Sequence, residues 1–176
     1  MGFYENHILP KLIHWTCSQK DITRQRKKIV PLAAGRILEV GIGSGLNLPF
    51  YDPAKVDHLW GLDPSQQLGK IAERTAAEMP FDVDFIGFSG EEIPLEKNSV
   101  DTVLVTYTLC SISDVGQALN EMHRVLKPSG RVLFCEHGKA PDDIVHKWQE
   151  RINPIWTKIS GGCNLNRPIP FLIEKS

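Results

Sequence analysis

The sequence has no apolar run long enough to cross a membrane. It also lacks the basic leader and apolar segment that together form a secretory signal peptide. Its few cysteines stand far apart and form neither a CxxC motif nor a Cys/His metal spacing. They are Cys17, Cys110, Cys135 and Cys163. These absences predict a cytoplasmic protein with free thiols and no bound metal.

An excess of charge of one sign is also missing. Lys and Arg number 20 against 21 Asp and Glu, so the formal net charge is -1 at pH 7. No electrostatic footprint for nucleic acid is present, and no nucleic-acid partner is expected. We interpret the one basic run, residues 24–28, as a solvated helix face. The 176 residues, 41% of them hydrophobic, fit one domain with a sizeable core.

After residue 31, short apolar segments alternate with longer amphipathic ones, which is typical of an α/β protein with a parallel sheet. Two regions outside the sheet are predicted to be helical: residues 4–29, and residues 142–159 with an interruption near Pro154. A Lys-Pro-Ser-Gly turn at 127–130 is expected to separate a helix from the last strand. The predicted strands are 36–41, 58–62, 82–87, 100–106 and 131–136, and the helices between them include 65–79 and 115–126.

Three alternate glycines at the end of the first predicted strand form the strongest motif. Gly41, Gly43 and Gly45 follow Glu39 and lead into a helix-like segment. Glycine is needed where a ligand approaches the main chain or where the turn requires a positive φ, although a purely structural turn is an alternative. A nicotinamide-binding fingerprint would have its third glycine where Leu46 stands. The carboxylate of Glu39 favours a cationic ligand over a pyrophosphate.

A carboxylate, Asp63, ends the second predicted strand. It can accept hydrogen bonds from both ribose hydroxyls of an adenosine. Alternatively it caps the helix that begins near Pro64 and Ser65. Because the glycine turn lies one strand away, ribose binding is the favoured interpretation.

The fourth and fifth predicted strands end at the same edge of the sheet. Thr106 and Tyr107 close the fourth strand, and His137 follows the fifth. His137 is interpreted as a general base or a substrate contact, with a structural hydrogen bond as the alternative.

Residues 37–137 resemble a class I S-adenosylmethionine (SAM)-dependent methyltransferase domain of the type 11 kind. The resemblance rests on the glycine turn behind Glu39 and on the Leu-Lys-Pro-Ser-Gly-Arg phrase at 126–131. Segments at 1–4, 41–51, 108–112, 136–138 and 161–167 are similar to one bacterial branch. That branch is similar to membrane-associated thiol methyltransferases and to phospholipid N-methyltransferases. The resemblance implies an α/β fold, a Rossmann-like three-layer sandwich with a mostly parallel sheet.

The resemblance also implies SAM as the cofactor and assigns residues to it. Glu39 would support the turn and the methionine moiety, and residues 89–91 would receive the adenine, unless they form an ordinary wet surface loop. Tyr107 and His137 are the candidate catalytic residues, acting on a small-molecule acceptor such as a thiol, an amine or a lipid head group. The implied SAM contacts are Glu39, Gly41, Gly43, Gly45, Asn47, Asp63, Pro64, Ser65, Ser89, Gly90, Glu91 and Thr106.

The predicted domain spans 1–176, with an N-terminal helical lid at 1–30, a cofactor-binding core at 31–137 and C-terminal helices at 138–176. For the aromatic and apolar side chains of the lid, core packing is favoured over substrate contact. The family fold continues into a strand hairpin that this chain lacks, which would leave residues 131–136 as an exposed apolar edge. The cover for that edge is expected from a longer chain, from a tail beyond residue 176 or from a second chain in a homodimer. The similarity to membrane-associated enzymes implies peripheral contact with a membrane or lipid. A SAM-binding regulatory or scaffold domain without turnover and a nicotinamide-dependent oxidoreductase are the alternative functions.

Overall fold

The computed structural model describes residues 2–176, without the side chains of residues 5 and 6. Met1, the first residue of the predicted lid, lies outside the described residues. Five strands form one parallel sheet in the order β3-β2-β1-β4-β5, so the predicted α/β class is confirmed. The strands are β1 (Gly35–Val40), β2 (Val56–Leu62), β3 (Val83–Ile86), β4 (Val100–Thr106) and β5 (Leu126–Cys135).

The helices pack on both faces of this sheet, which gives the expected three layers. A π-helical turn, Tyr4–Ile8, precedes the first helix, and the predicted N-terminal helix is divided in two near residue 18. Within residues 2–176, no helix combines the length and the apolarity needed to cross a membrane. The helices are α1 (Leu9–Cys17), α2 (Lys20–Ile29), α3 (Gln66–Ala76), α4 (Val115–Val125), α5 (Asp143–Ile159) and α6 (Ile169–Glu174).

The predicted interruption of α5 at Pro154 is wrong, because the helix continues through it. A proline removes one helical hydrogen bond, and contacts with neighbouring loops hold α5 in place around it. Gln149 donates to the carbonyl of Gly138 at 2.9 Å, and Asn153 accepts from the N–H of Leu165 at 2.8 Å. These contacts are tertiary, so the local sequence does not predict them.

Strand alternation divides the core into two apolar layers. Leu38 and Val103 contribute to the layer that contains α4 and α6. Ile37 and Leu104 contribute to the opposite layer, which contains the residues after α2. Glu39 lies two residues after Ile37 in β1, so its side chain points to this second layer. A buried carboxylate therefore sits at the carboxyl end of the central strand.

The last strand begins earlier than the sequence predicts. Leu126 already pairs with Val100, and the ladder then resumes with Arg131 opposite Thr102. Between these two pairs the chain advances by two residues along β4 but by five along β5. Residues 127–130 therefore form a bulge within β5. The other edge of β5 is unpaired among residues 2–176, and Phe134 there is 40% exposed.

Candidate cofactor and acceptor site

The glycine turn after β1 adopts backbone angles that favour glycine throughout. The φ angles of Gly41, Gly43 and Gly45 are +74°, +54° and +76°. A Cβ at Gly41 would collide with the side chain of Thr108, and one at Gly45 would lie 2.9 Å from Leu48. At Gly43 the nearest atoms would be 3.9 and 4.0 Å away. The outer glycines are thus required by packing, whereas the middle one presents an open backbone face to a ligand.

Asp63 joins this turn to the end of β2. Its Oδ2 accepts from the N–H of Gly43 at 2.9 Å, and its Oδ1 accepts from the N–H of Ser65 at 2.8 Å. The hydroxyl of Ser65 accepts from the N–H of Leu68, so Ser65 is the residue that caps α3. The capping alternative for Asp63 is therefore wrong. Burial raises the pKa of the Asp63 carboxyl, while the two backbone donors oppose that rise.

A cleft of about 320 Å³ lies between α3 and the ends of β2 and β3. Asp63 and Ser65 stand in its wall, and Ile42 of the glycine turn lines it as well. This volume is at the lower end of the range for small-molecule sites. The residues predicted to receive the adenine, 89–91, do not line this cleft.

A closed network of buried polar side chains lies beneath the glycine turn. Arg26 donates from Nη1 to Asn47 Oδ1 and to Thr106 Oγ1, both at 2.7 Å. Asn47 Nδ2 donates to Glu39 Oε1 at 2.8 Å and to Thr106 Oγ1 at 3.0 Å. Tyr51 donates its hydroxyl to Glu39 Oε2 at 2.6 Å. The network ties α2, β1, the turn and β4 together.

The interpretation of the basic run, residues 24–28, as a solvated helix face is wrong for Arg26, which is buried. Its side chain is only 6% exposed, and its guanidinium lies 5.2 Å from the ring centroid of Tyr107. The spacing of Ile22, Arg26 and Ile29 follows the inner face of a helix. That spacing could have predicted that Arg26 is buried, whereas its charge alone suggested exposure to solvent.

The network occupies both oxygens of Glu39. Burial raises the pKa of this carboxyl to about 7, and the hydrogen bonds from Tyr51 and Asn47 oppose the rise. Glu39, Asn47 and Thr106 therefore support the loop from below. Direct contact between these three side chains and SAM stays a prediction.

Residues 89–91 are tied to the start of α4. Ser89 donates its hydroxyl to the carboxylate of Glu91, which also accepts from the N–H of Asp114 at 3.0 Å. Gly90 is buried, and a Cβ there would lie 3.0 Å from Ile112. The segment is anchored at the sheet edge, and its role with adenine stays a prediction.

The two candidate catalytic residues are brought together. The rings of Tyr107 and His137 are stacked with centroids 6.4 Å apart. Tyr107 has a φ of +56°, an uncommon value for a side chain other than glycine. Burial raises the pKa of its phenol above the ordinary value, so this hydroxyl stays neutral.

The structure also gathers three sulfur and imidazole groups that the sequence places far apart. One ligand atom each from Cys110, His137 and Cys163 lie within 4.8 Å of one another, and His137 Nε2 is 3.2 Å from Cys163 Sγ. Hydrogen bonds from Cys110 and from His137 lower the pKa of Cys163 to about 4, and the same contact raises the pKa of His137. The predicted free thiols are confirmed, and the loops after β4, β5 and α5 bring two of them together with His137.

The N-terminal segment lies against the turn through His14, whose Nδ1 is 2.8 Å from Ser44 Oγ. Core packing does not explain its aromatic residues, since Phe3 is 73% and Trp15 is 64% exposed. A lid function for this segment stays a prediction.

A parallel sheet with a glycine turn after its central strand and an acid ending the next strand defines a Rossmann-like nucleoside-binding protein. The methyltransferase domain family matches residues 38–134, and the chain belongs to this family. With membership shown, the nicotinamide-dependent interpretation is set aside. The family indicates SAM as the co-substrate.

Two similar curated proteins are thiol S-methyltransferases. TMT1B of Rattus norvegicus is 33% identical over 145 residues, and TMT1A of Homo sapiens is 35% identical over 145 residues. In both cases the alignment covers 80% of this chain and 58% of the relative. The chain thus spans little more than half the length of these proteins.

Solved structures share the fold. YcgJ from Bacillus subtilis has a TM-score of 0.66 at 23% identity, with 94% of this chain and 64% of that one covered. A SAM-dependent methyltransferase from Thermotoga maritima has a TM-score of 0.69 at 20% identity, covering 97% of this chain and 77% of that one.

Proposed function

We propose that the chain transfers the methyl group of SAM to the sulfur of a small-molecule thiol. The observation that carries methyl transfer is the open face of Gly43, which is clamped to Asp63 and leaves room for a ligand between the ends of β1 and β2. The choice of a thiol rests on the two relatives named as thiol S-methyltransferases.

The reaction needs little from the protein beyond alignment. SAM carries its own electrophilic methyl, so the residues must hold the acceptor in line with it and exclude water. The acceptor sulfur forms a bond to the methyl carbon while the bond from methyl to sulfonium breaks, which leaves S-adenosylhomocysteine. A thiol ionises at a pKa of about 8.5, so a modest stabilisation of its thiolate is sufficient near neutral pH.

His137 would provide that stabilisation. Its pKa is raised, so it carries a positive charge over a wider pH range. It lies at the carboxyl edge of the sheet, one residue after Glu136, whose carboxylate accepts from the N–H of Thr108 at 2.7 Å. Tyr107, which stays neutral, has its ring stacked beside that of His137 and would face the same acceptor.

The test is product formation from SAM with a panel of alkyl thiols, amines and phenols. We expect S-adenosylhomocysteine and a methyl thioether only with thiols, measured by mass spectrometry. Gly43→Ala should abolish the product, because its Cβ enters the space meant for the ligand and because alanine is strained at a φ of +54°.

The matched control is Gly116→Ala, in the first turn of α4, which should keep full activity. Methylation of an amine or a phenol instead of a thiol would contradict the acceptor class. Binding of SAM without turnover on any acceptor would favour the regulatory or scaffold interpretation.

A further inference from the structure

The cluster of Cys110, His137 and Cys163 lies beside the cofactor turn. Cys110 follows Thr108 by two residues, and Thr108 donates its hydroxyl to the carbonyl of Gly41 at 3.4 Å. The cluster is thus joined to the glycine turn through one short loop. Two of its members stand just beyond the carboxyl ends of β4 and β5, where an acceptor would meet the methyl group.

The three loops that carry the cluster are joined by hydrogen bonds to backbone carbonyls, and the loop after β5 is held by the N–H of Lys139, which donates to the carbonyl of Arg167 at 2.8 Å. Asn164 donates to the carbonyl of Cys110 from both its backbone N–H, at 2.9 Å, and its side-chain amide, at 3.0 Å. Arg167 donates to the carbonyls of Leu109 and Ile112. Gly162, with a φ of +92°, turns the chain just before Cys163. The convergence of the three side chains is therefore built into the loops and does not depend on the side chains themselves.

We propose that Cys110, His137 and Cys163 form a zinc site with an open fourth position. Two sulfurs and one imidazole nitrogen form a ligand set that zinc prefers, and three protein ligands with one open position are typical of catalytic zinc. Tetrahedral bonds of the usual lengths put ligand atoms about 3.5–3.8 Å apart. The separations of 3.2 Å and at most 4.8 Å bracket this value, so small side-chain rotations suffice.

A second observation indicates a cation at this place. Glu136 directs Oε1 to the N–H groups of Thr108 and Leu109, while its buried Oε2 has no hydrogen-bond partner among residues 2–176. A buried polar atom without a hydrogen-bond partner calls for an explanation, and an ion bound at the adjacent cluster supplies one.

The fourth position gives the site a role that rests on the proposed function. An acceptor thiol would lose its proton to solvent and bind the ion as a thiolate, which keeps a nucleophilic sulfur at neutral pH. After the sulfur takes the methyl group, the neutral thioether is a weaker ligand and leaves. His137 would then act as a ligand, and the ion would stabilise the acceptor thiolate.

The experiment measures metal binding on the full chain, purified metal-free under reducing conditions, by zinc titration against a chromophoric chelator. We expect one zinc per chain. Cys163→Ser or His137→Asn should weaken zinc affinity more than about 100-fold, since even outer partners of a ligand contribute 10–100-fold. Cys135→Ser is the matched control, because this thiol contacts the Tyr107 hydroxyl and lies outside the cluster. It should bind zinc like the unaltered chain.

Cobalt substitution of the unaltered chain provides a readout that does not depend on the folding of variants. Tetrahedral Co²⁺ with two thiolates should give intense visible bands and sulfur-to-metal charge transfer. Addition of a small alkyl thiol in the absence of SAM should strengthen that charge transfer, because a third sulfur binds. Absence of zinc or cobalt binding by the reduced chain would overturn the site.

The Cys17→Ser variant tests whether the fourth coordination position of the zinc is open. This thiol lies near Cys163, so α1 could carry it into the coordination shell. If Cys17→Ser weakens zinc affinity as much as Cys163→Ser, the site is closed and the acceptor role is overturned. Thiol methylation by a zinc-free chain would overturn the metal proposal while the proposed function stands. Zinc binding without methylation of any thiol would contradict the proposed function while the zinc site stands.

Discussion

At the scale of single residues, the buried network explains how a charged helix contributes to the site. Arg26 faces inward and satisfies Asn47 and Thr106, whereas Arg24 on the same helix is exposed. Removing one member of a buried charged network leaves its partners unsatisfied, which costs more than the loss of an exposed charge. Arg26 therefore contributes more to the free energy of unfolding than Arg24, although the two residues are only two positions apart.

We expect Arg26→Ala to lower the free energy of unfolding by about 3 kcal/mol, because Asn47 loses a donor and Glu39 loses a neighbouring positive charge. Arg24→Ala should change it by less than about 0.5 kcal/mol. Urea unfolding of both variants measures the difference. Equal effects of the two changes would contradict the network.

The raised pKa of Glu39 predicts a pH dependence of stability. The folded chain holds the proton on Glu39 up to a pH of about 7, whereas the unfolded chain releases it near 4.5. The unfolded state therefore binds fewer protons between these values, and this carboxyl lowers stability as the pH rises from about 5 to 7. Glu39→Gln should flatten that part of the curve, as measured by urea unfolding at several pH values. An unchanged slope would contradict the assignment.

At the scale of secondary-structure elements, period-two and period-3.6 patterns predict most of the fold. β4 is predicted to the residue, and α3 and α4 are placed within a few residues of their bounds. The patterns fail where distant contacts intervene, as in α5 at Pro154 and in the bulge of β5. A helix cap depends on backbone geometry, so the sequence could not choose between Asp63 and Ser65.

A variant of Asp63, just before α3, can be compared with a helix-cap variant to distinguish cofactor binding from helix capping. Asp63→Ala should weaken SAM binding at least tenfold, because each charge-assisted hydrogen bond to a ribose hydroxyl contributes about 1.5–3 kcal/mol. Isothermal calorimetry with SAM checks this expectation. Asp142→Ala, which removes the cap of α5, is the matched control.

That control should lower stability by about 1 kcal/mol and leave SAM affinity unchanged. The ribose role of Asp63 fails if its alanine variant binds SAM as tightly as the unaltered chain and is only less stable.

At the scale of the whole molecule, α5 presents an apolar stripe to the outside. Ile144, Trp148, Ile152, Ile155 and Ile159 follow helical spacing and are 44–70% exposed. Lys147, Arg151 and Lys158, all exposed, flank the stripe on one side. An apolar face bordered by basic side chains is typical of helices that lie on anionic membranes. This pattern supports the expected lipid contact, while a homodimer across the β5 edge stays a prediction.

We expect the chain to sediment with anionic lipid vesicles and to bind neutral vesicles more weakly. Ile152→Glu combined with Ile155→Glu should reduce binding more than about tenfold, since the loss of 1.4 kcal/mol of apolar contact already gives that factor. Leu32→Glu alters an exposed apolar residue outside α5 and should bind normally. Equal binding by all three chains would contradict a membrane role for α5.

The sequence by itself determined the parallel α/β class, the glycine turn after β1 and the acid that ends β2, because these follow from local periodicity and from backbone angles that favour glycine. Only the tertiary structure decided that Arg26 is buried, that Glu39 supports the turn from below, and that Cys110, His137 and Cys163 meet. Those outcomes depend on which loops converge at the carboxyl edge of the sheet. This convergence depends on the packing of elements that are distant in the sequence, since Cys110 and Cys163 are 53 residues apart. No local sequence pattern predicts it.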